Sequence, residues 1–411
     1  MRLTAFLVFL FGTLSFQAFA NSVALEGVKL RTTIWPPYQM MLQGELSGES
    51  TDTLRCIFGD INESFSVQVM PWQRAIQDIR LGSADGVFTS APTPELEGVA
   101  TMSAPFALEK WFWYHTNDID LSDLDKLRIG AVRSSNQATW LESEGIKVDE
   151  LVNEGLQLLR LVRAGRIDAF IADARHFDEL MVLDGGQGAF SDYFARSFVR
   201  YMPLGVYFAD EFLAAHPTFL KRFNEEIADC AGEAVTLSPQ EIDGIRRVIK
   251  SRIEPELEHL NLLAALEEFN PAQENLSADV IQALDEQWRQ EVMMQEQPLI
   301  NEVLNRSAST YLRSVKQSTG RLISEFMLVG SAGLNVAQSD VTTDYYQADE
   351  QPWKNSFSSD KSELHVGGIR YDESSRRFQV KVSWPVVDRA GKSTGIVVIG
   401  VDVEEALKVK Q

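Results

Sequence analysis

The sequence predicts two α/β lobes that face each other, followed by an α+β domain with a long first helix. Residues 165–173 and 82–90 each run from a helix, through a glycine and an aspartate, into a short apolar strand that ends at polar side chains. A strand that is apolar throughout is typical of a parallel sheet covered on both faces. After residue 277, a long helical pattern precedes alternating strands, as in helices packed on one antiparallel sheet.

Length, composition and charge limit the number of domains and the kinds of binding partner that the chain can have. A chain of 411 residues suggests two or three domains. Its hydrophobic content of 45% is usual for a protein that buries cores. The net charge of -21 argues against nucleic acid and against anionic membrane surfaces as partners.

The N-terminus has the pattern of a cleavable secretory signal. Arg2 precedes a mostly apolar stretch, and residues 18–20 (A-F-A) fit the small-x-small cleavage rule, so residues 1–20 are predicted to be the signal peptide. The apolar run is too short for a transmembrane helix, and no later stretch is long enough to span a bilayer. We therefore expect a secreted protein without a transmembrane helix after signal cleavage, and the resemblance described below implies that its compartment is the periplasm.

The first lobe begins with alternating strands and helices. The predicted elements are a strand at 28–34, a helix at 51–62, a strand at 66–70, a helix at 71–81 and the strand that ends at Ser90. Between the first two, Trp35-Pro36-Pro37-Tyr38 forms a loop that two prolines stiffen and that presents two aromatic rings. Arg74 lies in the first turn of its helix, where the dipole disfavours a cation. It is either an anion contact or a solvated arginine.

The second lobe is predicted between two crossing strands, at 108–115 and 198–208. It contains a strand at 127–132, helices at 136–144 and 152–164, and the strand that ends at Asp173; a helix at 219–234 then closes the first lobe. Ser134 and Ser135 precede a helix and either bind an anion or cap that helix. Asp173 lies at the carboxyl end of a strand, where ligands bind in α/β sheets, or it caps the next helix.

The C-terminal part is predicted to be a second folding unit. Its elements are a helix at 277–296, a helical stretch to about 318, a short helix at 344–354, and strands at 322–329, 334–337, 363–371, 377–386 and 394–402. We expect a linker at 251–276. The predicted units are the two-lobed part at 27–250 (lobe 1 about 27–110 and 205–250, lobe 2 about 111–204) and the second domain at 277–408.

The two-lobed part resembles the family 3 periplasmic solute-binding proteins of the amino-acid-binding type, which have the type II two-lobed fold. The matching segments are W-P-P-Y at 35–38, W-Q-R-A at 72–75, G-S-A-D-G-V at 82–87, R-S-S-N at 133–136 and G-R-I-D-A-F-I-A-D at 165–173. The resemblance implies that two lobes close over a small polar solute. An inner-membrane ABC-type transporter or a sensor protein would then be the partner.

The resemblance also implies roles for single residues. Trp35 or Tyr38 would contact the solute, Ser90 would line the first lobe, and the Ser134-Ser135 turn would bind a carboxylate. Asp173 would bind an α-ammonium group. The family usually has an arginine in a T-x-x-R pattern, and here Thr93 is followed three residues later by Leu96. Leucine cannot replace a bidentate arginine. This departure argues against an ordinary α-amino acid as the solute unless Arg74 or Arg133 binds the carboxylate instead, and it leaves the closing of the lobes unaffected.

The C-terminal part resembles the extracellular PDC, or Cache, sensor domains, which have a PAS-like α+β fold. The match is carried by N-V-A-Q-S-D-V-T-T-D-Y-Y-Q-A-D-E at 335–350 and by the strands that follow. The resemblance implies either a ligand pocket or a domain that only transmits a signal. The pocket residues would be Asp344, Tyr345, Asp349 and Trp353, and the alternative is a structural helix whose aromatic rings pack on the sheet.

Two cysteines are present, Cys56 and Cys230. In an oxidising compartment they form one disulfide or stay as buried thiols. The predicted topology places both in helices of the same lobe, which favours the bond.

The sequence favours a non-enzymatic binding protein with no catalytic residue, cofactor or metal. It has no H-E-x-x-H motif and no clustered Cys/His spacing. The second domain favours signal transduction over uptake, because transport needs no such domain. Two alternatives stay open. One is a lyase-like or cell-wall-related enzyme on the same fold, and the other is a degenerate scaffold that binds a protein partner.

Overall fold

The computed structural model describes residues 27–184, 193–231, 235–259, 262–273, 275–357, 364–372 and 377–408. The predicted signal peptide and its cleavage site lie outside the described residues. Within the described ranges, no helix is both long enough and apolar enough to cross a membrane.

Two α/β lobes share one large mixed sheet. Its strands are β1 (Val28–Thr32), β4 (Phe65–Val69), β5 (Gly86–Ser90), β6 (Ala100–Met102), β7 (Ala107–Thr116), β8 (Ile129–Val132), β9 (Glu150–Val152), β10 (Ala169–Asp173) and β11 (Phe194–Ala209). The order is β4-β1-β5-β11-β7-β10-β8-β9, and β6 pairs with β11. A separate hairpin is formed by β2 (Met40–Leu42) and β3 (Glu45–Ser47).

Helices follow the strands of each lobe. They are α1 (Glu49–Asp60), α2 (Trp72–Arg80), α3 (Asn136–Ser143), α4 (Gly155–Arg163), α5 (Ala174–Leu183), α6 (Asp210–Ala215) and α7 (Phe219–Cys230). Strands β5 and β10 are buried at every position, as their continuous apolar runs predict. Both predicted crossing strands are present as β7 and β11, which pair antiparallel and pass from one lobe to the other. These two connecting strands are here called the hinge strands.

A second, five-stranded antiparallel sheet follows. It consists of β12 (Ile323–Gly330), β13 (Asn335–Gln338), β14 (His365–Asp372), β15 (Arg377–Val387) and β16 (Ser393–Asp402), in the order β13-β12-β16-β15-β14. Its two faces alternate in the expected way: Phe326 and Leu328 enter one core, while Met327 and Val329 enter another.

Helices surround the second sheet. They are α8 (Pro239–Arg252), α9 (Glu254–His259), α10 (Leu262–Gln273), α11 (Ala278–Val292), α12 (Pro298–Leu304), α13 (Ser307–Ser318), α14 (Gln351–Ser356) and α15 (Val403–Lys408). The short helix predicted at 344–354 begins only at Gln351. Residues before it are not helical, since Asp285 of α11 accepts the backbone N–H groups of Tyr345 and Tyr346 at 2.8 and 3.0 Å.

The stretch expected to link the domains is helical and packed. Leu257 of α9 and Leu266 of α10 are buried in the core under the second sheet. Helix α8, which was expected to belong to lobe 1, buries Ile245 and Ile249 in that same core. An amphipathic pattern fixes which face of a helix is buried but not which sheet covers it, and this explains the difference.

Candidate functional site

The candidate site lies where lobe 1, lobe 2 and the hinge strand β7 meet. Lobe 1 contributes the Trp35–Tyr38 loop and the first residue of α1, Glu49. Lobe 2 contributes the end of β10 at Asp173 and the first turn of α5. Tyr38 and Asp173 are 1% and 3% exposed, so these two side chains are shielded from water.

Asp173 caps α5 and also binds the hinge. One carboxylate oxygen accepts the backbone N–H of Lys110 in β7 at 2.7 Å, and the other accepts that of His176 at 3.4 Å. The capping role was the alternative that the sequence left open. Burial is the main cause that raises the pKa of the Asp173 carboxyl.

A second buried carboxyl, Glu109 of β7, was missed by sequence reasoning. It is 2% exposed and accepts the indole N–H of Trp111 at 2.7 Å. Burial, followed by the charge of Asp173, raises the pKa of Glu109 to about 8. A lone glutamate in an apolar and aromatic strand could have pointed to this residue, because a glutamate is rarely buried unless its carboxyl has a partner.

Arg175 of α5 joins the two lobes. Its guanidinium forms an ion pair with Glu49 of α1 and donates to the Tyr38 hydroxyl at 3.2 Å and to the Leu108 carbonyl at 2.9 Å. The Tyr38 hydroxyl donates to the same carbonyl at 3.3 Å. These contacts, here called the interlobe latch (Tyr38, Glu49, Leu108 and Arg175), tie lobe 1, the hinge and lobe 2 together. Sequence reasoning did not single out Arg175, although a cation in the first turn of a helix, the signal noted for Arg74, also marks this residue.

Aromatic and polar groups of lobe 1 surround the latch. Trp35 is half-buried and meets the Tyr38 ring edge-on, with 5.5 Å between centroids. Gln39 accepts the Thr89 hydroxyl at 2.8 Å. Within the described part of the chain, the Gln39 amide nitrogen and the hydroxyls of Ser50 and Thr51 are buried without a hydrogen-bond partner. Lobe 1 thus places hydrogen-bond donors beside the latch, and sequence reasoning did not single them out.

Other predicted site residues have local roles. Ser90 is buried at the end of β5, and its hydroxyl donates to the Ala91 carbonyl at 2.8 Å. Ser135 is the N-cap of α3 and accepts the backbone N–H of Ala138 at 3.1 Å. Ser134 is exposed and has a positive φ of 59°. None of the hydrogen bonds described for residues 27–184 joins either serine of this turn to the latch.

Neither of the two arginines that could replace the absent T-x-x-R arginine lies in the latch. Arg74 and Arg133 are exposed, on α2 and at the end of β8 respectively. Leu96 is fully buried and packs in a core with Ile79 and Val87. The position where the family usually has an arginine therefore serves the lobe core.

The predicted pocket residues of the second domain lie in two different clusters. Tyr345 stacks on Trp288 of α11, with 5.1 Å between centroids. Trp353 packs against Val329 and Val398 of the second sheet and stacks on Phe357 at 4.0 Å between centroids. Asp344 accepts the Gln347 side chain at 2.6 Å, and Asp349 is exposed. Trp353 of α14 thus packs on the sheet, whereas Tyr345 lies before that helix and packs on α11.

A disulfide joins Cys56 of α1 to Cys230 of α7. Asp60 lies beside the two sulfurs. Because both sulfurs are used in the bond, they offer no thiolate for a metal.

Comparisons with known proteins give distant structural similarity. No protein-family model matches the chain, and no curated protein matches it. Solved structures cover about half of it. A histidine kinase sensor domain with similarity to periplasmic binding proteins is 16% identical, covers 49% of this chain and 89% of its own, and gives a TM-score of 0.40. The unliganded, open L-cystine solute receptor of Neisseria gonorrhoeae is 16% identical, with coverages of 51% and 89% and a TM-score of 0.39. An ancestral arginine-binding protein bound to arginine is 16% identical, with coverages of 49% and 91% and a TM-score of 0.38.

Proposed function

We propose that the chain binds a small polar solute in the periplasm by closing its two lobes around the latch region. The observation that carries this proposal is the interlobe latch itself. Arg175 from lobe 2 reaches Tyr38 and Glu49 from lobe 1 at the point where the family resemblance places the solute. Two lobes joined by two crossing strands can rotate about those strands, so a ligand that contacts both lobes favours the closed state.

The charges at the site favour a solute with a cationic amine. Glu49, Glu109 and Asp173 place three carboxyl groups near a single guanidinium. Burial raises the pKa of Glu109 to about 8, so this carboxyl is largely protonated at neutral pH without solute, and a bound ammonium would favour its ionised form. An ammonium group gains most from such surroundings. The buried amide nitrogen of Gln39 is a donor and suits a carboxylate or carbonyl oxygen. An amino-acid-like solute meets both requirements, and a dicarboxylate is the less favoured class.

The second domain favours a role in signal sensing over ABC-type uptake. It packs on the two-lobed part through α8 and α15, whereas uptake requires only the lobes. The PDC or Cache assignment of this domain is part of the proposal, as is an inner-membrane sensor or transporter as the partner. We propose a binding protein and not an enzyme. An enzyme would consume the solute, and a scaffold without solute would bind only a protein.

A thermal-shift screen tests the solute proposal. The full mature chain is screened against basic and neutral amino acids, polyamines, dicarboxylates and short peptides. A solute that binds only the folded state raises the melting temperature by mass action. We expect a shift that is lost in Asp173→Asn and kept in Asp349→Asn, the exposed carboxylate of the second domain. A shift lost only in Asp349→Asn would place the solute in the second domain.

Chromatography of the recovered solute completes this test. A solute returned intact after incubation agrees with the binding-protein proposal, and a converted solute would establish the enzyme alternative. Absence of any shift across the panel would favour the scaffold that binds a protein partner.

A further inference from the structure

A lysine and a tyrosine on the hinge strands point their side chains away from the lobes and toward the second domain. Lys110 of β7 and Tyr201 of β11 are direct partners in the antiparallel register. The register shifts between Phe198 and Arg200, one step from this pair, so the hinge ladder is irregular there. Tyr201 is fully buried. It lies in the core that also contains the second sheet.

Glu241 of α8 binds both members of this pair. One of its carboxylate oxygens accepts the Lys110 ammonium at 2.6 Å, and the other accepts the Tyr201 hydroxyl at 2.8 Å. Glu241 is itself 6% exposed. The first oxygen also accepts the backbone N–H of Ser238, which completes the capping box of α8. A buried carboxylate with these donors has one well-defined position.

Helix α15 and strand β15 also contact the same tyrosine. Glu404 of α15 accepts the backbone N–H of Tyr201 at 2.8 Å. The ring of Phe378 in β15 meets the Tyr201 ring edge-on, with 5.5 Å between centroids. The hydroxyl, the ring and the backbone N–H of Tyr201 therefore all contact the second domain.

The opposite side of the hinge reaches the candidate site. The backbone N–H of Lys110 donates to Asp173, while its side chain binds Glu241. The carbonyl of Leu108, two residues earlier, accepts the hydrogen bonds of Arg175 and Tyr38 in the latch. Rotation of the lobes has to move this stretch of β7, so it has to move or break its contacts to α8.

We infer that Glu241 is a positioning residue that couples the opening of the lobes to the packing of α8 and α15 in the second domain. The inference rests on the proposed lobe closure but needs no solute. Breaking the latch should loosen the second domain, and removing the Glu241 carboxylate should change the separation of the lobes. Such reciprocity is required of any two linked equilibria.

The first experiment measures the lobe separation without solute. Spin labels are attached at Gln77→Cys in α2 and Glu142→Cys in α3, both exposed, and electron–electron resonance gives their distance distribution. Glu241→Gln is compared with Asp243→Asn, which removes an exposed charge pair on the same helix. We expect Glu241→Gln, but not Asp243→Asn, to shift or broaden the distribution toward larger distances.

The reciprocal experiment reads the second domain by hydrogen exchange. Arg175→Gln breaks the latch, and Arg128→Gln, which breaks an exposed ion pair of lobe 2, is the control. We expect exchange in α8 and α15 to become about fivefold faster in Arg175→Gln alone, the lower end of usual coupling. Lys110→Met, which keeps the apolar stem, covers the case in which Glu241→Gln does not fold.

Two results would overturn the inference. One is a distance distribution in Glu241→Gln or Lys110→Met that equals that of the control. The other is unchanged exchange of α8 and α15 when the latch is broken. Because neither readout uses a solute, failure of the solute screen leaves both results interpretable.

Discussion

The guanidinium of Arg175 lies over the ring of Tyr38, with 4.9 Å between the guanidinium carbon and the ring centroid. One residue belongs to lobe 2 and the other to lobe 1. A cation over an aromatic face is attracted by the ring, and the contact is stronger where water is excluded. The chain thus holds its lobes together with a side chain of its own at the position proposed for the solute.

Breaking the ion pair of the latch should open the lobes with little loss of stability. In Glu49→Gln the charge partner of Arg175 is lost, but the pair is one-third to two-fifths exposed, so the free energy of unfolding should fall by less than about 1 kcal/mol. Small-angle scattering should show a larger radius of gyration. Arg55→Gln, which removes an exposed pair on the same helix, should leave the radius unchanged; an equal change in both variants would contradict this.

Stability should decline with rising pH because of Glu109. Its pKa is 4.5 in the unfolded chain and about 8 in the folded protein, so the folded state binds more protons between these values. The contribution is fully present below pH 4.5 and is lost as the pH rises through 8. The slope approaches about 1.4 kcal/mol per pH unit for one group. Urea unfolding from pH 5 to 8 measures it, and Glu109→Gln should flatten the curve.

Exposed Glu97 provides the control for that experiment. Glu97→Gln should keep the wild-type slope. The same decline in Glu109→Gln and in the wild-type protein would assign the effect to another group, and Asp173 would be tested next.

Loss of the disulfide should destabilise lobe 1 without disturbing the latch. Cys56 and Cys230 are 174 residues apart, so the bond restricts a long loop in the unfolded chain. The Cys56→Ser/Cys230→Ser double variant should lose about 2–5 kcal/mol of unfolding free energy. Urea unfolding of the wild-type protein with and without reductant checks the value. A reduced wild-type protein as stable as the oxidised one would contradict the prediction.

Trp353 should matter for stability and not for solute binding. Its ring stacks on Phe357 and packs against β12 and β16. Trp353→Ala should cost about 3–5 kcal/mol by leaving a cavity, while Trp353→Phe should cost less. Thermal unfolding measures both. A solute shift that disappears in the folded Trp353→Phe variant would reassign this ring to a ligand pocket.

The sequence determines much of this fold through local patterns. Strands β5 and β10 could be predicted because their apolar runs are continuous, and the capping roles of Asp173 and Ser135 follow from ordinary helix-start chemistry. The latch could not be found in this way. Its ion pair joins Arg175 to Glu49, 126 positions apart, and a periodic pattern carries no information about which exposed faces of two lobes will meet. Glu109 was not predicted because the apolar and aromatic residues around it indicate only a buried strand.

The docked hinge also determines how the molecule unfolds. Leu108 and Tyr201 lie in the two-lobed part along the chain, yet both are fully buried in the core that contains the second sheet. A fragment that ended at residue 231 would expose both side chains and leave the Lys110 ammonium without Glu241. The lobes and the second domain should therefore melt in one cooperative transition, and the isolated lobes should aggregate where the whole chain stays folded.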